Sequence, residues 1–430
     1  MQTLQEHLKK HLIDTAAHTV FVGKKTKNGT KTDEDAIIHA VEKKLPIDQI
    51  PEDELIPKKI NIGGKDFKTD VVEIGKFKTN QCNALNDASV LALQTRVRPL
   101  SGGIQISSLS TWVEDNINNT FKFEVGTMGM VAVDNVDGSL VGVTNNHVII
   151  NDAFLVAERD PNGDVSSTVD NIYFVGFFNG KFIPTILQFD GVAGSVNFTR
   201  DFIGGPKRYV PIGENITNTV DGAIFGLTSA VTNTSSASQA ELSNTYAMPF
   251  ASTSEIDNLQ VNNIQLYSVG RTTGPKGVNC PLVVQGYGAT FIDYKKQGVP
   301  TKVIMSDVVF YQFLDGSNLP IYSGDSGSMV IGNFNGTYKI VGLAFAGDTD
   351  VDINNNPIST HGVFSRIDNV ATELNISAWD GSVKNINPAS INQQSKIYLN
   401  PNDTRTSVVY NGKTYFQAGL VNSSNPITNV

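Results

Sequence analysis

A serine flanked by glycines, in Ser323-Gly324-Asp325-Ser326-Gly327-Ser328, is the stretch of this chain best suited to covalent chemistry. Glycine allows a tight turn and a close approach of the backbone to a bound carbonyl. The apolar run Met329-Val330-Ile331 follows at once, so Ser326 stands on a turn that enters a strand. A serine hydroxyl is a weak nucleophile until a base takes its proton and a third group holds that base. Residues of both types lie upstream: His147 in Thr144-Asn145-Asn146-His147-Val148, and Asp221 in Val220-Asp221-Gly222-Ala223-Ile224. In this reading Ser326 attacks a carbonyl. His147 takes the serine's proton and passes it to the leaving group, and Asp221 fixes the imidazole's tautomer and stabilises its cation. The backbone N–H groups of Gly324 and Ser326 are the expected oxyanion donors.

The choice of base rests on elimination and setting. His7, His11, His18 and His39 fall in the N-terminal zone, which leaves His147 and His361. His147 follows the apolar run Leu140-Val141-Gly142-Val143, as a residue at a strand end would. Asp221 precedes Gly-Ala-Ile-Phe, which suits the start of a buried strand; Asp190 and Asp201 are rival carboxylates, each otherwise read as a turn residue.

The elements that must position these groups fall into three zones. Residues 1–95 are rich in Lys and Glu and read as a small α+β leader domain. It comprises an amphipathic helix over Leu4 to Ile13 with Leu4, Leu8 and Leu12 on one side, a strand at Thr19 to Val22, an Asn28-Gly29 turn, a returning strand within Asp35 to Lys43, a loop or short helix from Pro46 to Pro57, and a strand at Thr69 to Ile74. Residues 96–378 hold many short β-branched runs separated by Asp-Gly and Asn-Gly turns, the pattern of an all-β sandwich or barrel, with a helix expected over Ile367 to Ile376. Residues 379–430 are poor in charge and rich in Asn, Ser and Thr, and read as a β-hairpin extension with strands at Lys396 to Leu399, Ser407 to Tyr410 and Thr414 to Phe416.

Bulk properties narrow the function. The chain has 430 residues and a net charge of -9, which argues against a nucleic-acid partner. Two cysteines, Cys82 and Cys280, form no disulfide framework and are read as reduced thiols. The charged N-terminus lacks the apolar core of a secretory signal, and no stretch is long enough to span a membrane, so a soluble protein, cytoplasmic at synthesis, is expected. Later release or association with a virion would leave no mark in these residues. Asp348-Thr349-Asp350-Val351-Asp352 alternates oxygen ligands but lacks the glycine and the glutamate of a calcium loop, and is read as a solvated acidic loop; no metal and no cofactor are expected. Arg96 and Arg98 are read as surface or boundary ion-pairing residues.

Taken in order, these segments resemble the chymotrypsin-like (trypsin-like) serine peptidases of the double β-barrel type, closest to bacterial-type and narrow-leaf-type members. Gly126-Thr127-Met128-Gly129 precedes the first barrel strand, Thr144 to Val148 is similar to the histidine motif with Asn-Asn in place of Ala-Ala, and Gly324 to Gly327 matches the serine motif. The order His, Asp, Ser is that group's chain order. Ser268-Val269-Gly270-Arg271-Thr272-Thr273-Gly274 is similar to a further motif of the bacterial-type members, and Lys68 to Glu73 resembles part of their leader domain. The likeness covers residues 96–378 and implies a serine endopeptidase acting on a protein or peptide, with self-processing as one form of that activity. It also implies a specificity pocket with its floor near Pro320 and its walls at Ala344, Phe345, Ala346 and Gly347 and at His361 and Gly362. No acidic residue lies at the floor, so a preference for Lys or Arg is not expected. Asp348 and His361 stand near the mouth. Ser328 replaces a second glycine, its side chain expected to face solvent. No freed N-terminus is evident to pair with Asp325. The alternative is a structural or binding protein, such as an assembly or virion component, that retains the peptidase fold. Oligomeric state is left open.

Overall fold

A computed structural model describes residues 2–27, 30–62, 64–78, 93–98, 100, 102–108, 112–115, 120–123, 125–149, 175–178, 181–184, 186–188, 201–210, 212–213, 217–227, 236–237, 247–278, 280–296, 299–314, 320–348, 361–386, 407–410 and 413–416. The Asn28-Gly29 turn, Cys82, Asp190, the strand at Lys396 to Leu399 and most of the acidic loop after Asp348 lie outside these residues.

Helix α1 (Gln2–Asp14) forms because Leu4, Leu8 and Leu12 recur on one face. Leu8 and Leu12 are buried over Val20, Ile37, Ile60, Ile62 and Ala289. Strands β1 (Thr19–Lys27) and β2 (Thr30–Val41) make an antiparallel hairpin. Two single 3-10 turns follow at Ile47–Gln49 and Glu52–Glu54. Strands β3 (Lys59–Ile62) and β4 (Lys65–Glu73) make a second hairpin, and β4 runs parallel to β2. The short β5 (Phe77–Lys78) follows.

The first large sheet has eight strands. Those near the histidine are β6 (Ile104–Ser108), β7 (Gly126–Met128), β8 (Met130–Asp134), β9 (Leu140–Thr144), β10 (Phe202–Tyr209) and β11 (Ala223–Leu227). The second has twelve. Its members on the serine side are β12 (Leu266–Gly270), β13 (Gly274–Lys276), the long hairpin β14 (Leu282–Lys296) and β15 (Val299–Phe313), then β16 (Met329–Phe334), β17 (Thr337–Asp348) and β18 (Gly362–Arg366). One apolar core joins the sheets, taking Val143, Ile224 and Phe225 from the first and Leu266, Val330, Leu343 and Phe364 from the second. The molecule is mainly β, as expected, and is built around these two large sheets.

The sheet of the N-terminal zone does not end at that zone's border. β1 pairs antiparallel with β14, Thr19 opposite Thr290 and Gly23 opposite Gly286. β5 lies between β14 and β17, with Ile292 opposite Phe77 and Gly347 opposite Lys78. At the chain's other end the expected helix is shorter than its apolar pattern. It spans Ile367–Glu373, Asn375 takes a left-handed φ of 47°, and Ile376–Ala378 leaves as a strand paired with β8. The hairpin of Ser407–Tyr410 with Lys413–Phe416 is present.

Candidate active site

His147 sits in a four-residue helix, α2 (Asn146–Ile149), directly after β9. The two asparagines before it explain how the turn is held. Asn145 donates its side-chain N–H to the Asp221 carbonyl at 2.6 Å, and Asn146 donates to the Val210 carbonyl at 2.7 Å. Both are buried, where an unmade hydrogen bond would be costly. Asp221 lies just before β11, whose Ala223 pairs with Thr144. Strand pairing thus brings residues 74 positions apart in sequence to one place.

There the His147 ring donates from Nδ1 to Asp221 Oδ2 at 2.5 Å, while the His147 backbone N–H donates to Oδ1 of the same carboxylate at 3.2 Å. The Asp221 side chain is fully buried and that of His147 is 9% exposed. Two further groups complete the aspartate's surroundings: the Tyr294 hydroxyl donates to Oδ2 at 2.8 Å, and the Asp221 N–H donates to the Ser365 hydroxyl at 3.2 Å. Burial, the Asp221 charge and this hydrogen bond raise the Tyr294 phenol well above its ordinary value, so it remains a neutral donor. His147 Nε2 has no hydrogen-bond partner among the described residues.

The serine turn is fixed from three sides. Gly324 and Gly327 take left-handed φ values of 91° and 94°, which glycine adopts without a steric penalty. Gly327 also has no room for a side chain, because a Cβ there would lie 2.1 Å from the Thr127 carbonyl oxygen and 2.3 Å from Thr144 Oγ1. From the first sheet, Thr127 donates its N–H to the Ser326 carbonyl and its hydroxyl to the Gly324 carbonyl, both at 2.8 Å. From below, the buried Asp325 carboxylate accepts from Thr272 N–H at 2.9 Å, Thr273 N–H at 3.2 Å, the Thr273 hydroxyl at 2.7 Å and Tyr322 N–H at 3.0 Å. Its cation is Lys276, whose Nζ lies 2.8 Å from Asp325 Oδ2 and 2.7 Å from the Pro320 carbonyl. Burial pulls the Lys276 ammonium below its ordinary value, and the Asp325 charge partly opposes this. The partner for Asp325 is therefore an internal lysine. Ser328 departs from its expected place: it is buried, and its hydroxyl donates to the Asp325 carbonyl, because the turn folds that side chain inward.

The Ser326 hydroxyl is buried and donates to the Phe345 carbonyl at 3.2 Å rather than to His147. The segments that carry the two residues nonetheless both pack against Gly126. A Cβ on Gly126 would lie 2.5 Å from Val148, next to His147, and 3.1 Å from the Ser326 carbonyl oxygen. No hydrogen bond from the Gly324 or Ser326 backbone N–H is found among the described residues.

Of the expected pocket residues, Ala344 to Gly347 and Gly362 lie on two paired strands, with Gly347 opposite Gly362 and Ala346 opposite Val363, and His361 just precedes the second strand, its carbonyl accepting the Asp348 N–H at 3.0 Å. Pro320 is buried beside Lys276. The Phe345 ring enters the core with Ile292, Tyr294 and Val363, so its backbone is the part that meets Ser326. Gly362 lies against the ring of Tyr311, where a Cβ would approach to 2.6 Å. Asp348 is buried and accepts the Gly75 N–H at 3.1 Å. The rival Asp201 is engaged by Arg96 at 3.7 Å, and Arg98 donates to Gln188 at 2.6 Å.

Sequence reasoning missed Lys276 and Tyr294. Lys276 lies 49 residues from its carboxylate and Tyr294 lies 73 from its own, and neither sits in a motif that marks it. No helix among the described residues is long and apolar enough to cross a membrane.

No family model and no curated protein sequence matches this chain. Solved structures do match. Nocardiopsis protease (NAPase) is 15% identical, with a TM-score of 0.34 over 65% of this chain and 97% of that one. A glutamic acid-specific serine protease, described as using a histidine triad in substrate binding, is 12% identical, with a TM-score of 0.34 over 65% of this chain and 100% of its own. Thermobifida fusca protease A is 13% identical, with a TM-score of 0.28 over 65% and 97% of the respective chains. All three are described as proteases, and the likeness concerns fold alone.

Proposed function

We propose that the protein is a serine endopeptidase that cleaves peptide bonds through an acyl-enzyme on Ser326. The observation that carries this reading is the His147–Asp221 pair. A carboxylate bound to Nδ1 at 2.5 Å sets the tautomer that leaves Nε2 free to accept a proton, and Nε2 has no partner among the described residues. A turn about the Ser326 side chain would exchange the Phe345 carbonyl for that nitrogen, a tightening expected on substrate binding. Ser326 would then attack the carbonyl carbon and His147 would take its proton. The Gly324 and Ser326 N–H groups would hold the oxyanion, and the proton would pass to the leaving amine before water repeats the sequence on the ester. Removing one such donor costs about 10²–10³ in rate.

The substrate is a protein or peptide in extended form. β5 already runs antiparallel to the pocket strand at Gly347, the pairing by which an extended peptide adds to a sheet edge. Self-processing is part of this reading. The mass of purified wild type against that of Ser326→Ala tests it: a cut present only in the wild type supports self-processing.

A competing reading, a binding protein on the same fold, draws support from the Ser326–Phe345 hydrogen bond. A fluorophosphonate probe separates the two. It should label Ser326 in the folded protein and fail in Ser326→Ala and in unfolded chain. Folded wild type that stays unlabelled overturns the peptidase reading.

A further inference from the structure

Among the described residues, three donors reach the Asp221 carboxylate, and two of them belong to His147 itself. These two orient the imidazole on the aspartate, but they do not orient the pair relative to Ser326, which the second sheet carries. The third donor is Tyr294 on β14, a strand of that second sheet. We propose that Tyr294 is the positioning residue that ties the Asp221 carboxylate, and through it His147, to the sheet bearing the nucleophile, where Ser365 holds only the Asp221 backbone N–H. This deepens the peptidase reading and rests on it for its effect on rate.

The local geometry fits the role. The Tyr294 side chain is 1% exposed, its hydroxyl lies 2.8 Å from Asp221 Oδ2, and its ring stands edge-on to the His147 ring, with centroids 6.2 Å apart and planes at 72°. One side chain thus limits both the carboxylate and the imidazole. Its strand is held in turn: Ile292 and Asp293, just before Tyr294, pair with Phe77 and Lys78, and Phe77 shares a core cluster with Tyr294 and Phe345. The N-terminal zone therefore buttresses the strand from which the tie is made. Of the described groups hydrogen-bonded to the His147–Asp221 pair, which are Tyr294, Ser365 and Asn145, only Tyr294 is ionisable. Its raised phenol keeps it a donor across the working range.

The sign of the effect follows from the charge. A hydroxyl on Oδ2 draws off part of the carboxylate's negative charge. Without it, that charge acts more fully on His147 and favours the imidazolium, while the carboxylate loses its own link to the second sheet and, among the described residues, only the Ser365 bond to the Asp221 backbone N–H remains.

The test is Tyr294→Phe, which removes one oxygen. The expected result is a fall of about tenfold or more in kcat, with KM within about twofold, as for an interaction felt in the transition state. The acid limb of the pH–rate profile should move up. The low-field proton on His147 Nδ1 should move further downfield in the NMR spectrum, since Oδ2 then accepts from histidine alone. Tyr287→Phe is the control. It removes a hydrogen bond of 2.8 Å to the Ile256 carbonyl from the same strand and should change none of these. A folded Tyr294→Phe with wild-type kcat, acid limb and proton resonance overturns the proposal. If wild type itself neither cleaves peptides nor takes the fluorophosphonate, the peptidase reading fails, and the resonance alone decides whether Tyr294 governs the pair. Should Tyr294→Phe not fold, the wild-type Tyr294 hydroxyl proton decides. Slow exchange with solvent and magnetisation transfer to the His147 ring support the tie, and rapid exchange without transfer overturns it.

Discussion

Two buried aspartates, one on each side of the junction between the sheets, are held by different means. Asp325, beneath the serine turn, has an ammonium at 2.8 Å and four further donors from Thr272, Thr273 and Tyr322. Asp221, beneath the histidine, has a neutral phenol and the two N–H groups of His147. A carboxylate neutralised by a fixed cation is a structural pin, because its charge is spent on that cation. A carboxylate held by neutral donors keeps its charge available for an imidazolium that forms only during reaction. On the peptidase reading proposed above, the contrast separates the group that shapes the turn from the group that would serve proton transfer.

The largest effect that bears on this contrast is at the nucleophile. Ser326→Ala should lower peptide hydrolysis by about 10⁶-fold, with an unfolding midpoint close to wild type. A large loss of stability in that variant would mean that the hydroxyl serves the Phe345 hydrogen bond more than chemistry.

Next comes the pin. Lys276→Met leaves Asp325 buried without its cation and should cost about 3–5 kcal/mol in urea unfolding, with fluorophosphonate labelling lost as well. The double variant Lys276→Met/Asp325→Asn, which removes both charges, should recover part of the stability. If the single variant costs less than about 1 kcal/mol, the ammonium is dispensable and the contrast between the two aspartates fails.

A buried histidine sharpens the same point. His39 on β2 is fully buried, and burial foremost, then nearby His11, pushes it down to about 4 against a weaker opposing hydrogen bond with the Ile37 backbone. A depressed base binds more protons in the unfolded chain, so stability is present above pH 6.5 and is lost as pH falls towards 4, by about 3 kcal/mol. Unfolding measured across that window should show this slope, and His39→Leu should flatten it.

The smallest effect is at Ser365. Ser365→Ala leaves the buried Asp221 N–H without its acceptor and should cost about 1 kcal/mol, with a severalfold drop in kcat/KM. Loss of all activity in Ser365→Ala would show that Asp221 is positioned more by its backbone than by Tyr294.

Much of the fold could be read along the chain. The Leu4, Leu8, Leu12 spacing marks α1, and the β-branched runs before and after Asp137-Gly138 mark β8 and β9. The serine turn declares itself through Gly324 and Gly327, since their left-handed φ values need a residue without a Cβ. Less could be read where an element depends on a distant partner. Nothing local shows that β1 continues the sheet through β14, or that β5 lies along Gly347. The helix after Arg366 stops at Glu373 because the chain is drawn off to pair with β8, although its apolar pattern runs on. Ser328 turns inward for the same kind of reason: the curl of the turn puts its hydroxyl on the Asp325 carbonyl.

The residues alone settled that this chain carries a glycine-flanked serine, a histidine at a strand end and an aspartate at a strand start, because turn and strand preferences act over a few positions. Tertiary structure alone decided which cation neutralises Asp325 and which donor steadies Asp221. Lys276 and Tyr294 are chosen by proximity in a folded interior, where water is excluded and each buried charge must find its partner across whatever length of chain the sheets bring together.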